Sequence, residues 1–141
     1  MTRILQNIAA FVAGWLGGSA INIGLVQLGH TLLPIEGLDP NDMEAFAAAM
    51  PSLGAEHFLF PFLAHALGTL VGAIIAAWIA ASHKMAFAFA VGILFLIGGV
   101  MINILLPGPL WFTITDLVLA YIPMAWIGWK AGVKLSRNTG E

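Results

Sequence analysis

The stretch FLFPFLAHALGTLVGAIIAAWIAAS, residues 58–82, decides the fold. It contains no lysine, arginine, aspartate or glutamate, and it exceeds the roughly 20 residues that an α-helix needs to cross a ~30 Å hydrocarbon core. The rest of the chain follows suit. Between residues 85 and 129 the only charged residue is Asp116. The 141 residues are 60% hydrophobic and 9% charged, against about a quarter charged in a soluble domain. That balance defines an all-α integral membrane protein: a bundle of four transmembrane helices over residues 4–27, 58–81, 85–106 and 110–129, with an outer loop over 28–57. Residues 1–141 then form a single domain. A cleaved signal peptide is the other reading of the first span, but its apolar stretch is too long and no A-x-A site with a following soluble domain appears.

Charge placement orients the bundle. Arg3, Lys84, Lys130, Lys134 and Arg137 fall at the N-terminus, in the turn between spans two and three, or at the C-terminus. Glu36, Asp39, Asp42, Glu44 and Glu56 all fall in the long loop. The positive-inside rule therefore puts both termini in the cytoplasm, with an even number of crossings between them. Trp78, Trp126 and Trp129 mark the inner boundary and Trp111 the outer one, whereas Trp15 is mid-span.

Within the long loop, DPNDMEAFAAAM (39–50) reads as a short amphipathic helix. Asp39 is its expected N-cap, Pro40 its first residue, and Met43, Phe46, Ala47 and Met50 its apolar face. Such a helix lies on the membrane or over the bundle mouth, as a lid or as a plain connector. The segments WLGGSAINIGL (15–25) and LIGGVMINILL (96–106) each place an asparagine four residues after the second glycine, which allows two repeated hairpins. Small residues recur every four positions as Ala10, Gly14, Gly18 and as Ala64, Gly68, Gly72, Ala76. These ridges let helices approach closely. Packing within one bundle is the simpler reading, a homo-oligomer seam the other.

Polar residues at depth are few. Asn22, His65, Thr69, Asn103 and Asp116 are not explained by span boundaries, and a rise of ~1.5 Å per residue puts His65 and Asp116 at equal depth, about 10 Å in from the outer ends. His57, Pro61, His65 and Thr69 recur at i, i+4 as one stripe, with Pro61 and Pro123 as sites of bending. Thr113 shares a face with Asp116. An ionised carboxylate in this setting needs a partner, and His65 is the obvious one. Such a pair is either interhelical glue or a site for a proton, cation or the polar end of a ligand.

Other chemistries have thinner support. His30, Glu56 and His57 are competent metal ligands, yet their spacing is no metal signature. A bis-histidine haem from His30 or His57 with His65 would need ligands at different depths. No cofactor is required by the sequence. There is no cysteine, hence no disulfide or thiolate site, and no phosphate-binding, dinucleotide, triad or HExxH motif. The scattered basic residues give no nucleic-acid footprint.

The segments HALGTLVGA (65–73), GGVMIN (98–103) and DLVLAYIPMAWIG (116–128) resemble a family of small four-span bacterial inner-membrane proteins. The resemblance covers nearly the whole chain and implies the bundle and the inner membrane, but no activity and no functional residue. Small multidrug transporters have the same span count, yet the glutamate in their first span has no counterpart here. Three functions stay in view. The first is a transporter-like pocket built on His65, Asp116, Asn22, Asn103 and Thr69. The second is an accessory or structural subunit of a larger membrane complex. Last comes an outer-leaflet enzyme with His65 or His57 as base, for which no nucleophile arrangement is present.

Overall fold

The computed structural model describes residues 2–39 and 41–138. Among them all regular structure is helical: α1 (Arg3–Leu32), α2 (Met43–Ala49), α3 (Leu59–Ile79), α4 (Lys84–Leu105), α5 (Leu110–Leu119) and α6 (Ile122–Asn138), with 3₁₀ turns at Met50–Ser52 and Ala55–Phe58. Four segments are long and apolar enough to cross a membrane: Arg3–Leu32, Ala55–Ile79, Lys84–Leu105 and Leu110–Asn138.

Prolines set where these helices stop. α1 runs past the expected end at residue 27 because nothing there breaks it. It ends where Pro34 excludes the preceding Leu33 from the helical region, at φ −129°. Leu106, before Pro107, ends α4 in the same way at φ −124°. Pro123 has no N–H to donate and its ring crowds the carbonyl four residues back, so the last span divides into α5 and α6 at Ala120 and Tyr121. Pro61 does not bend α3 in mid-course, because it occupies the first turn, where proline is tolerated.

The loop helix is capped differently from expectation. Asp42 is the N-cap, accepting from the Ala45 amide at 3.0 Å. Asp39 spends its carboxylate on the Asn41 amide and side chain, at 2.9 and 3.0 Å, closing a turn before the helix. Pro40, expected in the first helical position, lies outside the described residues. Phe46, Met50 and Leu53 then pack with Phe58, Phe62, Leu106 and Phe112, so the loop sits as an apolar cover on one end of the bundle.

α3 is the central helix, and its small residues explain why. A Cβ on Gly14 would lie 2.6 Å from the Gly72 carbonyl oxygen, and one on Gly18 would lie 2.5 Å from that of Gly68. The two ridges read from the sequence therefore face each other across α1 and α3. A second seam runs between α3 and α6: a Cβ on Gly128 would be 2.7 Å from Ala73 Cβ, and one on Gly132 would be 2.7 Å from Ala77 Cβ. Ala73, Ala77, Ala88 and Ala125 form a fully buried cluster among α3, α4 and α6. Close backbone approach at these points multiplies weak dispersion contacts.

The end opposite the loop cover carries most of the basic residues. The Asn7 side chain takes the Ala81 and Ser82 amides at 2.9 and 3.3 Å and donates to Ser82 Oγ at 3.0 Å. Gln6 donates to the Ile79 carbonyl at 2.8 Å. His83 turns the chain with φ +50°, in the left-handed region. Lys84 Nζ then donates to the carbonyls of Ala77, Trp78 and Ala80 at 3.0, 3.2 and 2.6 Å. A cation on the last carbonyls of a helix complements its dipole. Lys84→Met is therefore expected to lower stability by about 1–2 kcal/mol in a detergent unfolding titration. His83→Gly should be neutral or gain up to ~1 kcal/mol, since glycine adopts that backbone without strain.

Candidate functional site

Three helices, α3, α4 and α5, and the break between α5 and α6 converge on Asp116. It lies in the last full turn of α5 and is fully buried. His65, two turns into α3, brings Nδ1 to 2.8 Å from Oδ1 and 3.0 Å from Oδ2. Asn103, near the end of α4, donates from Nδ2 to Oδ2 at 3.4 Å and to its own helix at the Gly99 carbonyl, 2.9 Å away. Thr113 Oγ1 donates to Asn103 Oδ1 at 3.0 Å and so fixes which way that amide points. The two residues expected at equal depth are paired, with Asn103 beside them.

The sequence reading missed Tyr121. Its hydroxyl donates to Asp116 Oδ2 at 3.1 Å, and its ring is 1% exposed and lies 5.8 Å from the His65 ring. The break between α5 and α6 makes this possible, because it frees Tyr121 from the helical register and turns it back onto Asp116. Gly99 makes the space: any Cβ there would run into the Tyr121 hydroxyl. The available signal was the chain's single tyrosine, five residues after the buried acid and two before a proline.

Asn103 and Tyr121 both donate to Asp116 Oδ2, and His65 Nδ1 closes on the same carboxyl group from α3. His65 separates this carboxyl group from a cavity of about 640 Å³ that His65 lines and Asp116 does not. Asn22, Asn103, Tyr121, His57 and His30 supply the other polar positions on a wall that is otherwise mostly aromatic and aliphatic. The volume falls within the ~300–1,000 Å³ of small-molecule sites.

Thr69 is placed elsewhere. It is fully buried one turn beyond His65, its hydroxyl has no hydrogen-bond partner among the described residues, and it does not line the cavity. The metal reading of His30, Glu56 and His57 is corrected by their positions. Among the described residues no three such side chains come together to hold a metal. His57 Nε2 and Glu56 Oε1 are 3.9 Å apart, but the His30 ring packs on Phe46, 5.9 Å between centroids.

Comparison of the chain with family models, curated proteins and solved structures gives no match.

Proposed function

We propose that this is a multi-pass protein of the bacterial inner membrane, termini in the cytoplasm, whose outward-facing pocket binds a small solute beside a proton held by His65 and Asp116, in the manner of a transporter. The observation that carries the reading is the position of His65, with one ring edge on a buried, fully engaged carboxylate and the side chain lining an apolar cavity. Buried ionisable groups in membrane helices are functional by default. A proton or a hydrogen-bonding solute suits this arrangement better than a bare cation, which would have to displace the donors that occupy Asp116.

The charge asymmetry supports the orientation, because the acidic loop covers the cavity end and the lysines cap the other. The apolar side of α2 and the 3₁₀ turn after it, with Phe46 and Met50 turned to the bundle, fit an amphipathic cover over the pocket mouth. The matching steps Gly18 to Asn22 and Gly99 to Asn103, on helices that run in the same direction, fit two repeated hairpins. The subunit alternative predicts a different purification. Extraction in mild detergent is expected to yield this chain alone or as a homo-oligomer, with a thermal midpoint raised by a bound solute in the wild type and not in His65→Gln. Heterologous subunits that co-purify in fixed ratio, with no solute effect, would overturn the reading.

A further inference from the structure

Resting on that pocket reading, we infer the class of its ligand: a membrane-dissolved amphiphile with one apolar tail and an uncharged, hydrogen-bond-accepting head such as a carbonyl, entering sideways between α1 and α4. The argument starts from where these two helices touch. A Cβ on Gly14 would lie 3.2 Å from Val91, and one on Gly18 would lie 2.9 Å from the Phe95 ring. Further toward the loop end the contact is lost. A Cβ on Gly98, which lines the cavity, would meet nothing within 4 Å among the described residues, and this glycine is exposed.

The cavity occupies that gap. Trp15 and Val26 line it from α1, and Ile97, Gly98 and Met101 from α4, several of them exposed on the outside of the bundle. From the loop end Phe46 and Met50 cover it. A molecule approaching from water meets the apolar cover, whereas one dissolved among acyl chains meets an open apolar slot.

The polar end of the slot selects the head group. Asp116 occupies the Nδ1 edge of the His65 ring, which leaves the opposite edge to the cavity that His65 lines. The Asn22 amide adds a donor from α1. His65 lies six residues into α3, about 9 Å along its axis. A charged phosphate head would lose its hydration at that depth, whereas a carbonyl gains the Asn22 donor at little desolvation cost. Aromatic walls from Phe60, Phe95, Phe112 and Tyr121 suit a flat head.

The test uses the purified full chain in lipid nanodiscs with a benzoquinone bearing a decyl tail, read by quenching of tryptophan fluorescence, and with the tailless benzoquinone as comparison. Saturable quenching is expected, at least roughly tenfold tighter for the tailed probe. It should be largely lost in Trp15→Phe. Gly98→Phe, which has open space for its side chain, should block the slot and weaken the tailed probe by roughly tenfold or more. His65→Leu should do the same, and the Gly98 variant keeps the test decisive if His65→Leu fails to fold.

Equal binding of both probes would overturn the amphiphile while leaving a water-accessible pocket in place. Tailed binding unchanged in both variants would mean partitioning into lipid and would also overturn it. No saturable binding of either probe would overturn it too. If proton uptake on acidification were then the same in wild type and His65→Gln, the pocket reading would fall with it.

Discussion

Asp116→Ala is expected to lower the free energy of unfolding by about 3–5 kcal/mol, the range for removing one partner of a buried charged pair. A single interhelical hydrogen bond in a membrane bundle contributes only about 0.6 kcal/mol on average. That small figure does not apply here, because the acid receives His65, Asn103 and Tyr121 together. Truncation removes the partner of the Tyr121 hydroxyl and of His65 Nδ1, while Asn103 keeps the Gly99 carbonyl, and each orphaned group costs about 1–3 kcal/mol when no water replaces the lost contact. Asp116→Asn keeps the shape and one oxygen, so its loss should be smaller, about 1–2 kcal/mol. Unfolding in mixed micelles at fixed pH measures both. A double-mutant cycle of Asp116→Asn with Tyr121→Phe should give a coupling of about 1 kcal/mol, since the hydroxyl and the carboxylate are in direct contact. If Asp116→Ala cost under about 1 kcal/mol, the cluster would be solvated, contrary to its burial.

Much of this arrangement follows from one-dimensional facts. An uncharged run has a length, and length with composition yields four helices long and apolar enough to cross a bilayer. Depth is similarly linear: counting along α3 and α5 from their starts puts His65 and Asp116 at one level, and they are found bonded. The Gly14, Gly18, Gly68 and Gly72 ridges repeat at the helical period, so their role in close packing is readable before their partner is known. Rotation of one helix against another is not linear. Nothing in the run containing Gly128 and Gly132 says that it faces the far side of α3, because that depends on the break at Ala120 and Tyr121. Tyr121 was missed for the same reason. Its place beside Asp116 is a product of the break and of the room left by Gly99, two features that become related only when α4 packs on α6. Thr69 erred in the other direction. It keeps the i, i+4 spacing from His65, yet the cavity closes before reaching it.

Gly72→Leu should be as damaging as the loss of Asp116. A Cβ at this position lies 2.7 Å from the Gly14 carbonyl oxygen and 3.0 Å from Val91 Cγ1. The first neighbour is backbone and cannot turn aside, so α1 must move away from α3. Even Gly72→Ala is expected to cost about 1–3 kcal/mol through overpacking, and leucine more, as the whole seam from Gly14 to Gly18 opens. The opposing propensity gain of alanine over glycine in a helix is only about 0.5–1 kcal/mol, too small to compensate. Gly24→Ala isolates that gain. Its Cβ meets nothing within 4 Å, so it should be neutral or mildly stabilising in the same titration. Gly14→Ala and Gly72→Ala press on the same contact, so the double variant should lose less than the sum of the singles, because a seam once opened costs little to open again. The same pair also separates internal packing from self-association. A seam within one chain gives losses independent of protein concentration, whereas a seam between copies gives losses that shrink as concentration rises.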